Sequence, residues 1–310
     1  MDEGQDGRAR GNGRPLLHRA FISPDEPRLR AGWRLAVHAL LTALAGLALS
    51  VLAALAGAGR IVGAGTPWEL AYASLPVALA VTAASWVARR YVDHRSFSSL
   101  GLTISARAWR DLGLGLLLGA GMVGLVFAAL AALGWLSVVG WAGATVPTNA
   151  LASDVLGAVA LFVLVGYYEE LLSRGYHLSN LAEGLSCGWA VALTSVSFPL
   201  FHLGNPTAGA ASVMGLLAAG VFLAYARLRT GLLWMPIGVH IAWNLALGLL
   251  GFPVSGIAVF SLLTLRVTGP ELATGGAFGP EAGALAPLSL LLGAIIVRAY
   301  TRNRTVSSSV

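Results

Sequence analysis

The sequence predicts an all-α polytopic membrane protein, and three observations carry this prediction. Of its 310 residues, 56% are hydrophobic and only 11% are charged, against roughly 25% charged residues in a soluble domain. The mean hydropathy is +0.75. The apolar residues are grouped in runs of about 20, which is the helix length that crosses a bilayer. We therefore expect about eight transmembrane helices.

Eight apolar runs follow one another along the chain, and the fifth is short. They cover residues 35–59, 68–88, 112–134, 151–174, 188–204, 208–227, 231–251 and 283–299. Residues 1–30 are rich in Gly, Arg, Asp and Pro without periodic apolar positions, which predicts a disordered cytosolic tail. Residues 301–310 predict a second, short cytosolic tail, and residues 31–300 a single membrane domain between them.

The basic residues indicate the orientation of the spans. All 20 are arginines, and seventeen of them fall on one side of the predicted membrane. The other side holds Arg60 and Arg266, and Arg174 lies within a span. By the positive-inside bias, both termini face the cytosol. The net charge of +6 therefore indicates orientation and not a nucleic-acid partner. A single cysteine, Cys187, excludes an internal disulfide and a multi-cysteine metal site.

Three polar clusters interrupt the apolar spans. A buried carboxylate or guanidinium costs roughly 2.5 to 3.5 kcal/mol at the centre of a membrane helix, so such residues are candidates for a functional site. Within each cluster, residues four apart share a helix face. The clusters comprise Glu169, Glu170 and Arg174; Phe198 and His202; and His240 and Asn244.

The spacing predicts that the clusters meet. Residues 155–183 contain no proline and would form one helix of about 43 Å, which leaves the bilayer before a turn at residues 184–188. Glu170 precedes that turn by fourteen residues and His202 follows it by fourteen, so both lie about 21 Å from it. His240 lies about 15 Å from the preceding cytosolic loop. We expect one cavity, open toward the cytosolic half.

Two carboxylates with two imidazoles are suited to activating water for hydrolysis. A glutamate accepts the proton, a histidine orients the nucleophile, and nearby donors stabilise the oxyanion that forms. His240 and Asn244 could supply these donors. Alternatively, Glu169, His202 and His240 could bind zinc, since two histidines and a glutamate form a catalytic ligand set. The His-Glu-x-x-His helix of ordinary metalloproteases is absent.

The ordered motifs Glu-Glu-x-x-x-Arg at 169–174, Phe-x-x-x-His at 198–202 and His-x-x-x-Asn at 240–244 resemble those of a known family. This is the CAAX protease and bacteriocin-processing (CPBP) family of intramembrane proteases, which includes type II CAAX prenyl endopeptidases and lysostaphin-resistance-like proteins. The resemblance spans about residues 150–250, which we expect to be the catalytic core. Residues 89–102 are also similar to the family's approach to its third helix.

The resemblance implies roles for individual residues. Glu169 would be the base that activates water together with His202, while His240 and Asn244 would hold the substrate carbonyl and its oxyanion. Glu170 would support the site, and the sequence leaves open whether it is a catalytic residue that shares the role of the base or only pairs with Arg174. Arg174 would also support the site, and Phe198 is expected to shape its wall. The family is often described as glutamate-type, with the role of a metal disputed. Relatives often carry a Phe or a basic stretch after the arginine, whereas residues 175–186 contain no arginine. The handling of an acidic or prenylated substrate therefore does not follow from the resemblance.

We therefore predict an intramembrane endopeptidase of the bacterial plasma membrane that cuts a membrane-associated peptide or protein, including a lipidated, CAAX-like one. Two alternatives remain open. The same carboxylates could couple protons or ions to transport, or the chain could be a non-catalytic scaffold or bacteriocin-immunity protein. The outer loops are expected at residues 135–150 and 252–282, with a re-entrant or interfacial run from Val254 to Leu265. Asp154, Glu271 and Glu281 are expected to lie apart from the clusters.

Overall fold

Helices form most of the protein in the computed structural model, which describes residues 20–23, 26–56 and 65–304. Residues 1–19, 24 and 25 of the predicted first tail and residues 305–310 of the second lie outside the described residues. The helices are α1 Ala31–Leu55, α2 Pro67–Val87, α3 Ala106–Ala132, α4 Thr148–Glu170, α5 Leu178–Gly184, α6 Cys187–Leu200, α7 Ala210–Thr230, α8 Trp234–Leu250, α9 Glu271–Thr274 and α10 Leu285–Tyr300.

Five helical segments of the described chain are long and apolar enough to cross a membrane. They are Ala31–Leu55, Pro67–Val92, Ala106–Ala132, Thr148–Gly184 and Ala210–Thr230. Three shorter apolar helices, α6, α8 and α10, have 14, 17 and 16 residues and would extend at most about 26 Å, less than the bilayer core of about 30 Å. The chain is an integral, mainly helical membrane protein, and eight complete spans remain a prediction.

The fourth span and the fifth form the expected hairpin. Helix α4 continues through a π-helical turn, Leu171–His177, into α5, so the helical segment runs unbroken from Thr148 to Gly184. Helix α6 begins at Cys187, where the Ser186 side chain accepts a hydrogen bond from the Trp189 amide at 3.3 Å. Such a bond satisfies one of the free amides at a helix start. The predicted turn at residues 184–188 is confirmed.

Helices α3 and α8 pack closely because glycines face each other across their interface. A Cβ atom on Gly119 would lie 2.4 Å from the Val239 carbonyl oxygen, and one on Gly115 would lie 2.4 Å from that of Met235. Small residues allow such close approach between membrane helices. The contact matters for function because α8 carries two residues of the predicted site.

Arginines from several helices gather at one end of the protein, which we call the arginine-rich end. There Glu183 Oε2 lies 3.0 Å from Arg28 Nη1 and 2.8 Å from Arg34 Nη1. Glu183 Oε1 lies 3.5 Å from Arg89 Nη2. Arg28 is buried, so residues 26–30 contact the helical domain although the sequence placed them in a disordered tail. The ion pairs compensate the charge that burial would otherwise leave unpaired.

The same end is extended by the last residues of the chain. Arg304 Nη1 lies 3.0 Å from Asp111 Oδ1 near the start of α3. Arg229 Nε donates a hydrogen bond to Thr301 Oγ1 at 3.0 Å. The ends of α7 and α10 and the start of α3 therefore meet on the side to which the sequence assigned most arginines.

At the opposite end, two segments that were expected to be loops pair as a small sheet. Strands β1 Leu136–Trp141 and β2 Leu263–Val267 are antiparallel, with Leu136 opposite Val267. The sheet is a small addition to a mainly helical fold, which is consistent with the predicted all-α membrane class. The reason for the pairing is composition, because both segments are rich in the branched and aromatic residues that favour strands. The strands have only six and five residues, which is too short for a hydropathy pattern to indicate them.

The segment between α8 and α10 folds back against the helices. The Gly256 amide donates to the Phe278 carbonyl oxygen at 2.9 Å, which joins the two ends of the segment. Next to this bond, a 3-10 turn at Pro280–Ala282 lies against α7. A Cβ atom on Gly215 would come within 1.7 Å of the Glu281 carbonyl oxygen, so the contact requires glycine at this position of α7.

Candidate active site

A cavity of about 520 Å³ lies among α2, α4, α6, α8 and the 252–282 segment. Apolar lining comes mainly from α2 and from the middle of α4, while polar side chains come from the end of α4, the residues around the end of α6, α8 and the 252–282 segment. The polar lining includes Tyr168, Glu169, Ser173, His202, Asn205, His240, Asn244, Ser255 and Glu281. The structure therefore brings Glu169, His202, His240 and Asn244 together, as the spacing predicted.

The cavity reaches further from the arginine-rich end than expected. Its lining includes Leu70, Ala73, Ser74 and Val77, which lie in the first half of α2, whereas the last turn of α2 leads to the arginine-rich end. The cavity is therefore not confined to the half that the sequence assigned to it. The physical reason is that the 252–282 segment folds back and supplies part of the wall.

Glu170 and Arg174 form a fully buried ion pair. Arg174 Nη1 donates to Glu170 Oε1 at 2.9 Å, and Arg174 Nη2 donates to the Gly220 carbonyl oxygen at 3.3 Å. Neither side chain is accessible to solvent. The pair lies one helical turn apart, where the π-helical turn follows α4. Glu170 does not line the cavity, unlike its neighbour Glu169.

The imidazole of His240 lies between the two adjacent glutamates. His240 Nδ1 is 3.0 Å from Glu170 Oε1, and His240 Nε2 is 3.7 Å from Glu169 Oε2. Because a carboxylate only accepts hydrogen bonds, the first contact places a hydrogen on Nδ1. The second distance is too long for a direct hydrogen bond. Glu170 thus orients His240 so that Nε2 faces Glu169.

A backbone carbonyl orients the second imidazole. His202 Nδ1 lies 2.9 Å from the Phe198 carbonyl oxygen, one turn earlier in the chain. A carbonyl oxygen accepts and does not donate, so Nδ1 carries the hydrogen of the neutral ring. His202 Nε2 is then the nitrogen with a lone pair. The half-buried ring lines the cavity, where this nitrogen can accept a proton.

Phe198 connects the three clusters. Its ring centroid lies 4.9 Å from that of His202 and 5.9 Å from that of His240. The Arg174 guanidinium carbon lies 4.5 Å from the same centroid, within the range of a cation–π contact. Phe198 also lines the cavity. It thus fixes the spacing of the polar groups and contributes no acid or base, in agreement with its predicted place in the wall.

Asn244 supplies an uncharged polar group to the cavity. It lies one turn after His240 on α8 and is only 5% exposed. Among the described residues, no group makes a hydrogen bond with the side-chain amide of Asn244, yet the residue lines the cavity. An amide in this position can donate to an oxygen of a bound molecule.

Glu281 is the residue whose position sequence reasoning predicted wrongly. It was expected on the far side of the membrane, but it is 8% exposed and lines the cavity. Its Oε2 atom accepts hydrogen bonds from the Ser255 amide and, at 2.9 Å, from Ser255 Oγ. Burial raises the pKa of Glu281, whereas the Ser255 hydrogen bonds and the charges of His202 and His240 lower it.

No motif could have identified Glu281, because the chain returns to the site through the irregular 252–282 segment. Ser255 and Asn205 were missed for the same reason. The Asn205 side-chain amide donates to the Ser255 carbonyl oxygen at 2.9 Å, which ties the end of α6 to that segment. The weak available signal is glycine, because Gly256 and Gly279 have positive φ angles of 81° and 97° that favour glycine in tight turns.

The expected zinc ligands do not form a metal site in this arrangement. Among the described residues, no group of three His, Cys, Asp or Glu side chains is placed to hold a metal ion. Glu169 and His240 approach each other, but His202 is oriented by the Phe198 carbonyl oxygen and does not complete a set with them. These candidate ligands therefore do not fit a zinc site, and the roles proposed for them use protein groups alone.

Comparison with known sequences identifies the segment that carries this geometry. Residues 151–246 match the sequence model of a family described as type II CAAX prenyl endopeptidase Rce1-like. No curated protein matches the chain. The matched segment runs from the start of α4 to the middle of α8 and contains all seven residues of the three polar clusters. Over these residues the chain is similar to the Rce1-like family of CAAX prenyl endopeptidases.

Proposed function

We propose that the chain is an intramembrane endopeptidase that hydrolyses a peptide bond with water activated by Glu169. The observation that supports this most strongly is the meeting of Glu169, His202, His240 and Asn244 at one cavity. The family match supports protease activity in general. The assignment of a glutamate-type mechanism to this chain rests on the contacts of the individual side chains.

Those contacts divide the work of the two glutamates. The charge of Glu170 is neutralised by Arg174. Its Oε1 atom already accepts hydrogen bonds from Arg174 and His240, so Glu170 presents no free charge to the cavity. Glu169 Oε2 and Glu170 Oε2 are both buried without a hydrogen-bond partner among the described residues, but only Glu169 lines the cavity. An unpaired carboxylate oxygen beside the cavity is the better proton acceptor. We therefore assign the base to Glu169 and the orientation of His240 to Glu170.

In the proposed reaction, Glu169 takes a proton from water while the water oxygen attacks the carbonyl carbon of the substrate. His202 Nε2 accepts a hydrogen bond from the same water and orients it. The negative charge moves to the carbonyl oxygen, where His240 Nε2 in its protonated form and the Asn244 amide donate hydrogen bonds. The carbon–nitrogen bond then breaks, and the proton held by Glu169 passes to the leaving amine. The products are a carboxylic acid and an amine.

The cavity wall favours a membrane-associated peptide as substrate. Leu161, Phe162 and Val165 on α4 and Leu172 in the π-helical turn line the cavity together with residues of α2 and offer an apolar surface in the bilayer. We place the arginine-rich end in the cytosol of a bacterial plasma membrane, following the positive-inside bias. Both termini would then be cytosolic. Glu170 lies about 21 Å along the helix from Gly184 at that end, so the reaction takes place within the membrane.

The proposal is tested with Glu169→Gln protein in lipid nanodiscs and a fluorogenic peptide panel that includes a lipidated peptide. Because Gln cannot accept the proton, we expect cleavage to fall by about 10² to 10⁴-fold, the usual contribution of a general base. Glu271→Gln, at an exposed position, is the matched control and should cleave like wild type. Retained cleavage by Glu169→Gln would refute the assignment of the base.

The same preparations separate the proposal from its rivals. In proteoliposomes, a transporter would move protons or ions in a manner that depends on Glu169 without cutting any peptide. A scaffold or immunity protein would bind a partner without either activity. Cleavage that is lost in Glu169→Gln, with no flux in the wild type, supports the endopeptidase alone.

A further inference from the structure

The ionisable lining of the cavity contains no permanent positive charge. Glu169 and Glu281 are its carboxyl groups, His202 and His240 its imidazoles, and among the described residues no arginine lines it. The chain contains no lysine. All permanent cations near the site must therefore be arginines outside the lining or belong to a bound molecule.

Arg174 is a permanent cation in contact with the lining residue Phe198, and its charge is already neutralised by Glu170. Its Nη1 and Nη2 atoms are hydrogen-bonded to Glu170 and to the Gly220 carbonyl oxygen. The Phe198 ring covers its guanidinium at 4.5 Å. Since the side chain is fully buried, it offers no contact to a carboxylate inside the cavity.

Glu281, in contrast, is held with one oxygen free. Both donors from Ser255 bind Oε2, and no described residue donates a hydrogen bond to Oε1. The turn that carries Glu281 is fixed against α7 at Gly215. The Glu281 carboxyl group is held by two hydrogen-bond donors, and its turn packs against α7 at a position that requires glycine. The group is therefore ordered before any ligand binds. Such preorganisation is typical of a recognition group.

A second acidic group lies on the approach to this cavity. Asp154 lines an adjoining pocket of about 290 Å³, which shares Leu70 and Val259 with the main cavity. Asp154 was expected to be a solvated residue at a span end, apart from the clusters. Its place beside the cavity extends the negative lining outward, and no described arginine lines the adjoining pocket.

We propose that Glu281 is a specificity-determining residue that selects peptides with a cationic side chain beside the scissile bond and excludes those with a free carboxylate there. This inference rests on the proposed endopeptidase function. A C-terminal CAAX motif ends in a free carboxylate within four residues of its cysteine. No permanent cation among the described residues lines the cavity to receive that carboxylate, so the preferred substrate is cut at an internal bond.

The electrostatics of Glu281 are compatible with this role. Burial raises the pKa of Glu281 above its usual value of 4.5, which favours the neutral form of the carboxyl group in the empty cavity. A cation bound beside the carboxyl group would favour its ionised form. The hydrogen bonds from Ser255, together with His202 and His240 when they are charged, act in the same direction. Glu169 is the remaining carboxylate of the lining and also attracts a cation.

The experiment uses peptides of one sequence that vary at two places. The residue after the scissile bond is Lys, Gln or Glu, and the C-terminus is an amide or a free acid. Cleavage by wild-type protein in neutral-lipid nanodiscs is followed as kcat/KM. We expect kcat/KM to be at least about tenfold higher for the Lys peptide than for the Glu peptide, which corresponds to one charge interaction in a partly buried site. We also expect a higher kcat/KM for the C-terminal amide than for the free acid when the terminus lies within three residues of the scissile bond.

Glu281→Gln is the decisive variant, because Gln still offers Ser255 an oxygen acceptor while it removes the negative charge. We expect the Lys-over-Glu preference to fall to less than about threefold in Glu281→Gln and to remain in the control Glu271→Gln. An unchanged preference in Glu281→Gln overturns the inference, and so does a wild-type preference for the acidic peptide. Thermal unfolding confirms that both variants are folded.

Binding measurements keep this inference separate from the proposed catalysis. The same peptides, fluorescently labelled and N-methylated at the scissile bond to prevent cleavage, are titrated into wild type and Glu281→Gln. Tighter binding of the Lys peptide that requires Glu281, without any cleavage of the unmethylated peptides, supports the selectivity and refutes the endopeptidase proposal. Cleavage with equal binding of the Lys and Glu peptides, and equal kcat/KM, refutes the selectivity alone.

Discussion

Glu170 and His240 are joined by a hydrogen bond of 3.0 Å between Oε1 and Nδ1. The bond connects α4 with α8, two helices whose residues are 70 positions apart in the chain. Because the same Glu170 oxygen pairs with Arg174 at 2.9 Å, the orientation of the imidazole depends on a buried ion pair. The stability of this part of the fold and the geometry of the site are therefore coupled.

Glu170→Gln should destabilise the protein by about 3 to 5 kcal/mol, because it leaves the buried Arg174 guanidinium without a counter-charge. Adding Arg174→Gln removes that uncompensated charge, so the double variant should be less destabilised than the sum of the two single variants. Denaturant unfolding in detergent measures the three differences. Additive effects of the two substitutions would contradict the coupling.

Gly119→Ala should disturb the packing of α3 against α8. Its Cβ atom would lie 2.4 Å from the Val239 carbonyl oxygen, so one of the helices must move, at a cost of about 1 to 3 kcal/mol. Gly121→Ala is the matched control, because its Cβ would meet no atom within 4 Å. We expect it to be neutral or stabilising by up to about 1 kcal/mol. Equal unfolding midpoints for the two variants would contradict this packing.

Glu183→Gln should loosen the arginine-rich end. Glu183 contacts Arg28, Arg34 and Arg89, and its side chain is 11% exposed. Removing the shared partner of these arginines should cost about 2 to 4 kcal/mol, somewhat less than for a fully buried pair. Glu26→Gln affects a carboxylate that is 45% exposed and should cost less than about 1 kcal/mol. Thermal unfolding of the two variants side by side checks the difference.

Glu281 should make stability depend on pH in a definite direction. Burial raises its folded-state pKa above the usual 4.5, so its contribution is fully present below that value and is lost as the pH rises through the folded-state pKa. Gln does not ionise. The Tm of Glu281→Gln relative to wild type should therefore increase between about pH 4 and pH 8, while the Tm of Glu271→Gln should show no such trend. A relative Tm that decreases with pH would contradict the raised pKa.

Much of the membrane fold could be predicted from local sequence patterns. Apolar runs located the helices, and Gly184 and Gly188 located the turn before α6. Motif spacing also brought Glu169, His202 and His240 to one cavity, because helical periodicity and helix length convert sequence separation into depth. The sheet was missed, since β1 and β2 are short and pair across more than 120 residues.

The sequence by itself determined the membrane class, the order of the helices and the identity of the three polar clusters, because hydropathy and helical periodicity are local properties. Only the tertiary structure decided which glutamate faces the cavity. Glu169 and Glu170 are adjacent and point about 100° apart around the helix, so the position of His240 on α8 separates their roles. Only the tertiary structure placed Glu281 in the site, since an irregular segment has no periodicity from which its return could be read.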